Sequence, residues 1–155
     1  MTFEQIVRIA EGYSELGMLD DALEQIDHLD SEHQDRSEIL RMRVDILIRK
    51  RRWPDALQLS ERFSAVNPDQ PYGYVHAAFC LHEMGRTLEA KQTLLQGPAA
   101  LLEEPVYYYN LACYETVLGN VEQAKTYLRA SFRLNKSFRE MAKKDPDLDP
   151  IRDEL

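Results

Sequence analysis

Residues 108–124 read YYNLACYETVLGNVEQA, and their pattern indicates how the chain folds. Ala112 and Ala124 stand on either side of Gly119, and the apolar residues around them recur with the period of an α-helix. Glycine is favoured where a helix ends in the left-handed backbone conformation, so Gly119 marks a turn between two helices. Small residues on both helices let the two backbones approach closely. The stretch therefore predicts a tight helix-turn-helix pair.

The same pattern recurs three more times at intervals of 34 residues. A regular repeat of this length is typical of a solenoid of stacked helix pairs. Nothing in the chain shows the sustained two-residue alternation of a β-strand, so we expect an all-α fold without a sheet. The positions that carry the repeat are Ala10, Val44, Ala78 and Ala112 in the first helices, Gly17, Arg51, Gly85 and Gly119 at the turns, and Ala22, Ala56, Ala90 and Ala124 in the second helices.

One repeat departs from the pattern because Gly97-Pro98 falls where its second helix should continue. Proline removes a backbone donor and clashes with the preceding turn of a helix. We therefore expect that helix to stop or kink near Gly97, with Ala99–Glu104 forming a separate turn.

The pattern resembles the tetratricopeptide repeat, a helix-turn-helix unit of 34 residues. Four copies fit, at about 3–36, 37–70, 71–104 and 105–138, so that residues 1–155 form a single domain. The resemblance implies a right-handed superhelix. The segment from Tyr109 to Leu155 resembles the terminal unit of bacterial tetratricopeptide proteins, and we expect its last part, residues 139–155, to cap the exposed end of the stack. The apolar residues expected to cover that end are Phe138, Met141, Leu148 and Ile151.

Charge and composition exclude several classes of function. The chain has 155 residues, 44% of them apolar, and a net charge of −8. An acidic chain is a poor candidate for binding nucleic acid or anionic lipid, which both reward a basic surface. Met1–Leu16 lacks the uninterrupted apolar stretch of a signal peptide, since Glu4, Glu11 and Glu15 interrupt it. We therefore expect a cytoplasmic protein.

No arrangement of residues indicates catalysis, a cofactor or a metal site. The chain has no nucleophile, phosphate-loop or dinucleotide motif, and its histidines miss the spacing of helical metal pairs. Cys80 and Cys113 are too few for a disulfide framework, and we expect two buried thiols. Arg49–Arg52 is the single basic run, which we interpret as a solvated helix end. We expect a protein that is not an enzyme.

The resemblance implies that the first helices line a concave groove and that the groove binds a segment of a partner protein. We expect an apolar partner side chain between Tyr72, Phe79 and Tyr109, where aromatic anchors would dominate the binding energy. The alternative is that these aromatic residues only pack helices together. The candidate groove residues are Arg41, Asp45, Arg49, Tyr72, Val75, Phe79, His82, Tyr109 and Cys113, of which Arg41, Asp45 and Arg49 would meet the polar flank of the partner segment.

Two other functions stay open. His76–Cys80 resembles a segment of the dedicated chaperones of type III secretion translocators, although those proteins have three repeats. An exposed aromatic face could also pair two copies of the chain, which would make the protein a self-assembling homo-oligomer.

Overall fold

The computed structural model describes residues 1–155 and contains α-helices and two 3-10 helices but no β-strand. The chain therefore has the predicted all-α architecture, a solenoid of helix-turn-helix pairs. The 3-10 helices span Ala99–Glu103 and Pro146–Glu154. The α-helices are α1 (Phe3–Glu15), α2 (Leu19–Asp27), α3 (Ser31–Gln34), α4 (Ser37–Arg49), α5 (Trp53–Val66), α6 (Pro71–Glu83), α7 (Thr87–Leu95), α8 (Pro105–Val117), α9 (Val121–Leu134) and α10 (Phe138–Lys144).

Four helix pairs follow one another along the chain, and each packs against its neighbours. The pairs are α1 with α2, α4 with α5, α6 with α7, and α8 with α9, and the first helices α6 and α8 also contact each other. All eight small-residue positions of the repeat are fully buried, which brings the paired helices close together. No helix of the chain combines the length and the apolar character that a bilayer span requires.

The four turns between paired helices share one backbone conformation. Each turn residue has a positive φ, which glycine adopts without strain but a residue with a side chain adopts at a cost of about 1–2 kcal/mol. Arg51 adopts this conformation in the second turn despite the cost, and its N–H donates to the carbonyl of Ile48 at 2.9 Å. The φ angles are 77° at Gly17, 59° at Arg51, 79° at Gly85 and 88° at Gly119.

The interruption predicted in the third pair is confirmed. Helix α7 ends at Leu95, and Ala99–Glu103 forms a separate 3-10 helix. A second interruption, in the first pair, was not predicted: α2 ends at Asp27 and the short α3 follows. The side-chain amide of Gln34 donates to the carbonyls of Ile26 and Leu29, both at 3.0 Å. A side chain thus satisfies the carbonyl groups that a longer helix would have bonded.

The contact between α5 and α6 depends on a residue without a side chain. A Cβ atom on Gly73 would lie 2.8 Å from the carbonyl oxygen of Ser60 and 2.9 Å from the backbone nitrogen of Ser64. These distances are shorter than real Cβ contacts allow, so the two helices are closer here than alanine would permit.

The C-terminal tail, residues 138–155, packs back onto the last helix pair. Leu148 and Ile151 are buried, and the 3-10 helix that carries them contacts α8. Phe138 is half-buried, with its ring centre 5.3 Å from that of Tyr109. Met141 is 52% exposed, so the expectation that it covers the end of the stack is wrong. Its place is taken by Ala142, which is fully buried on the other side of α10.

Candidate functional site

The first helices of the pairs share one face, and three neighbouring recesses run along it. The first, of about 580 Å³, lies between α1 and α4 and has Glu11, Glu15, Glu38 and Asp45 in its lining. Four carboxylates against the single cation Arg41 make this recess negative, and we call it the acidic recess. Arg41 also lines the next recess, so the face is continuous.

The second recess contains Tyr72 and His76 and has a volume of about 310 Å³; we call it the aromatic recess. Val75, His76 and Val106 line both this recess and the third one. The third recess, of about 340 Å³, also takes in Ile48 and Phe79, and we call it the apolar recess. Together the three recesses form a groove from α1 to α8.

Tyr72 is held in place by residues from two helices. Its hydroxyl donates to the Asp45 carboxylate and lies 3.1 Å from the carbonyl oxygen of Arg41. The Arg41 guanidinium lies 4.3 Å from the centre of the Tyr72 ring, and the His76 ring stacks on it at 3.9 Å. Burial, followed by the hydrogen bond to Asp45, raises the pKa of Tyr72. Tyr72 therefore joins α4 to α6 in the groove floor.

Two of the three residues expected to meet a polar partner flank already have bonds within the chain. Asp45 accepts the hydrogen bond from Tyr72. Arg49 donates to the backbone carbonyl of Ser14 at 3.0 Å and to its hydroxyl at 2.8 Å, which ties α4 to α1. Arg41 stacks on Tyr72 while lining both the acidic and the aromatic recess.

Val75 and Phe79 lie in the apolar recess, as the sequence leads us to expect for residues on the inner face. Phe79 is half-buried, and its ring meets the Trp53 ring edge-on with the centres 5.8 Å apart. Part of Phe79 therefore packs helices together, and part lines the recess. Ile48 and Val106, which the repeat register also puts on the inner face, line the same recess.

The structure places the remaining three candidates beneath the tail. Tyr109 and Cys113 are 3% and 4% exposed, and His82 is bonded to the tail. Tyr109 donates its hydroxyl to Asp145 at 2.8 Å, and the Cys113 sulfur lies 3.6 Å from the same oxygen. The expected open groove therefore does not include Tyr109 and Cys113, because the tail covers them; its residues on α8 are Val106 and Asn110. An apolar partner side chain does not reach Tyr109 in this arrangement.

The polar side chains under the tail form a cluster in which the carboxylates are hydrogen-bonded to other residues of the chain. Donor atoms of Cys113, Asp145 and Asp147 lie within 4.8 Å of one another, which is a spacing that metal ligands also have. Here Asp145 accepts from Tyr109 and from the backbone N–H of Asp147, and Asp147 is bonded to His82. Burial, together with the nearby Asp145 charge, raises the pKa of Cys113, so the sulfur is a protonated thiol. The sequence held no local signal for this cluster, because the tail reaches it from 32 positions away.

The side chains of the basic run Arg49–Arg52 bond to separate partners. Arg49 bonds Ser14, Lys50 pairs with Asp20, and Arg52 pairs with Asp55 at 2.7 Å. The run therefore forms no common cationic surface, which agrees with its interpretation as a helix end.

Comparison with known proteins shows the fold and no more. No protein-family model and no curated protein matches the chain. Among solved structures, a crystal structure of MamA aligns over 88% of this chain and 80% of its own, with a TM-score of 0.76 and 14% identity. The C2 form of MamA from MSR-1 aligns over 89% of this chain and 79% of its own, with a TM-score of 0.71 and 16% identity. These likenesses support a tetratricopeptide-type helical fold for this chain.

Proposed function

We propose that this protein is a non-catalytic adaptor that binds an extended segment of a partner protein in the groove along its first helices. In this proposal the four helix pairs are four tetratricopeptide units, and residues 139–155 are their terminal cap. The observation that carries the proposal is the continuity of the three recesses, since Arg41 joins the first two and Val75, His76 and Val106 join the last two.

The chemistry of the groove changes along its length. The apolar recess offers Ile48, Val75, Phe79 and Val106, so it fits an aliphatic or aromatic side chain of the partner. The acidic recess offers Glu11 and Glu38 and fits a basic or amide flank. A partner segment that binds across both would carry an apolar residue at one end and lysine or arginine at the other.

Fixed side chains favour binding because little conformational entropy is lost when a partner docks. Tyr72 is fixed by Asp45 and Arg41, and Arg49 is fixed by Ser14. These residues therefore shape the groove, while Val75, Phe79 and Val106 supply the apolar contact. This assignment moves the proposed anchor from Tyr109 to Val106, since the tail covers Tyr109.

The test is affinity capture with two variants that introduce the same carboxylate at different places. Val106→Asp puts a charge into the apolar recess. Val106 lies in the first turn of α8, where the helix macrodipole favours an acidic side chain, so the fold is expected to survive. Leu88→Asp makes the same change on α7 at a position that is 55% exposed and outside the groove.

A partner retained by the wild type and by Leu88→Asp, but lost by Val106→Asp, supports the groove. Its binding segment is then measured with purified components, where we expect a loss of about tenfold or more, since burying an unpaired charge costs several kcal/mol. A partner that both variants hold as tightly as the wild type would contradict the proposal.

A further inference from the structure

A second surface, on the last helix pair, gathers basic side chains around one aromatic ring. Arg129 and Arg133 of α9, Lys136 in the following turn and Arg139 of α10 line a recess of about 380 Å³ with Phe132. The Arg139 guanidinium lies 4.9 Å from the centre of the Phe132 ring. We call these five residues the basic recess.

None of the four cations in the basic recess has a carboxylate partner within the chain. Arg129 donates to the hydroxyl of Thr126 at 3.2 Å, and that is the only side-chain hydrogen bond the four residues make. Neighbouring cations behave differently: Lys125 pairs with Glu154, and Lys143 pairs with Glu140 at 2.9 Å. The charges of the basic recess are therefore available to an anion from outside.

The position of this charge is unusual for so acidic a protein. Residues 125–144 contain seven of the 19 basic side chains and one of the 27 acidic ones. Arg129 and Arg133 are four positions apart on one helix, where like charges destabilise by about 0.2–0.5 kcal/mol. The negative end of the α9 macrodipole stabilises Arg133 and Lys136, but its effect falls off within the last turn. The macrodipole of α9 therefore does not compensate Arg129 or Arg139, and neither forms an ion pair.

We propose that the basic recess binds a short acidic segment of a partner protein. Three of its four cations are arginines, whose planar guanidinium groups match carboxylates in pairs of parallel hydrogen bonds. The adjoining recess of about 170 Å³ shares Arg129, Phe132 and Arg139 with the basic recess. Its other lining residues are Leu128, Leu155 and the ion pair of Lys125 with Glu154, so an apolar residue next to the carboxylates has leucine side chains to pack on.

The surrounding charge limits the length of the ligand. Outside residues 125–144 the chain has 12 basic side chains against 26 acidic ones, and their field repels any polyanion that extends beyond the recess. A nucleic acid would run past the cations onto this negative surface. A protein segment with a few consecutive carboxylates would not.

The basic recess is separate from the groove, because α9 and α10 line none of the groove's three recesses. The protein would thus hold two segments at once, a basic or apolar one on the inner face and an acidic one on the last helix pair. Failure of either proposal leaves the other standing.

The test measures the binding of fluorescein-labelled hexaglutamate to the full chain by fluorescence anisotropy at low salt. In the variant Arg133→Gln/Arg139→Gln, two cations of the recess become neutral amides, and we expect affinity to fall by about tenfold or more, since each removes charge-assisted hydrogen bonds. The matched control Arg8→Gln/Arg51→Gln makes the same change of net charge on two exposed arginines elsewhere that also have no ion pair, and we expect less than about a twofold change.

Circular dichroism verifies that both variants stay helical. Equal losses in the two variants would overturn the proposal, because they would reflect net charge alone, and so would a wild type that does not bind hexaglutamate. Tighter binding of a short oligo(dT) than of hexaglutamate would overturn it in favour of nucleic acid. Self-association of the wild type that only the Arg133→Gln/Arg139→Gln variant loses, measured by light scattering, would overturn it in favour of a second copy.

Discussion

His82 and Asp147 stand 65 positions apart in the chain, yet Nε2 of the histidine lies 2.8 Å from Oδ2 of the aspartate. The other ring nitrogen of His82 lies 2.9 Å from the hydroxyl of Thr87. This contact joins α6 to the tail across α8. It is the link by which the third helix pair helps to hold the tail over the fourth.

The contact predicts a pH dependence of stability. Burial lowers the pKa of His82, but the hydrogen bond and charge of Asp147, helped by Glu83 and Asp145, outweigh it and raise the pKa above its usual value. A raised folded-state pKa stabilises the protein fully below the unfolded pKa of about 6.5, and this contribution is lost as the pH rises through the folded value.

We therefore expect wild type to exceed His82→Gln in free energy of unfolding by more at about pH 5.5 than at about pH 9, with a change on the order of 1 kcal/mol. Urea denaturation of both proteins at the two pH values measures it, and the comparison cancels groups that both share. A difference that grows with pH would show that the histidine is neutral in the folded protein.

Replacing tyrosine by phenylalanine is expected to have opposite effects on stability at two positions of α8. The Tyr114 hydroxyl is buried without a hydrogen-bond partner, while that of Tyr109 donates to Asp145. A buried unsatisfied polar group costs about 1–3 kcal/mol, so Tyr114→Phe should raise the free energy of unfolding by about 1 kcal/mol. Tyr109→Phe should lower it by a similar amount. Thermal denaturation checks both, and a destabilised Tyr114→Phe protein would mean that the hydroxyl is satisfied in solution.

Replacing each of two helical glycines by alanine distinguishes the effect of close packing from that of helix propensity. An alanine side chain at Gly12 would meet nothing within 4 Å, whereas at Gly73 it would collide with the backbone of α5. Gly12→Ala should therefore stabilise the protein by about 0.5–1 kcal/mol through helix propensity alone. Gly73→Ala should destabilise it by about 1–3 kcal/mol through overpacking. If chemical denaturation gives both variants the same sign, the close approach of α5 and α6 is wrong.

The position of the tail predicts how reactive the Cys113 thiol is. Cys80 and Cys113 are both buried, and burial together with the Glu83 charge raises the pKa of Cys80 to about 11. Deleting residues 146–155 should uncover Cys113 but leave Cys80 between the helices. We expect one thiol to react rapidly with a disulfide reagent in the deleted protein and none in the wild type.

The control is the same deletion with Cys113→Ser, in which the rapid reaction should vanish. Two reactive thiols would mean that the deletion unfolds the chain. No gain in reactivity would mean that Cys113 is buried without help from the tail.

Most of the fold follows from local sequence. The four turns were predictable because Gly17, Gly85 and Gly119 favour a left-handed residue at a fixed position. Arg51 shows that the repeat is strong enough to impose that conformation on a residue that does not favour it. The break at Gly97 was predictable because proline cannot continue a helix. The break after Asp27 was not, since it depends on the side chain of Gln34 reaching back to two carbonyls.

The candidate site was predicted less well. Periodicity predicts Val75 and Phe79 on the inner face, and both line the apolar recess, because repeat position decides which way a first-helix residue points. It could not show that Asp145 and Asp147 cover Tyr109, Cys113 and His82, because pairing over 32 to 65 positions leaves no periodic trace.

The basic recess was not predictable from the sequence for a related reason. Its cations stand three or four residues apart and converge only when α9 turns into α10. A search for consecutive basic residues finds Arg49–Arg52, whose charges the fold then disperses.

The tail that covers Tyr109 has a consequence for ligand competition. A segment joined covalently to the surface it occupies acts at an effective concentration in the millimolar range for a short flexible connection. Any external segment that needs the α8 surface at Tyr109 and Cys113 must outcompete this tethered occupant, so its apparent affinity is reduced in proportion to the fraction of molecules whose tail is undocked. Ligands confined to the three recesses of the groove escape this competition. The tail thus divides one continuous solenoid face into a part that is open to ligands and a part that ligands reach only when the tail undocks.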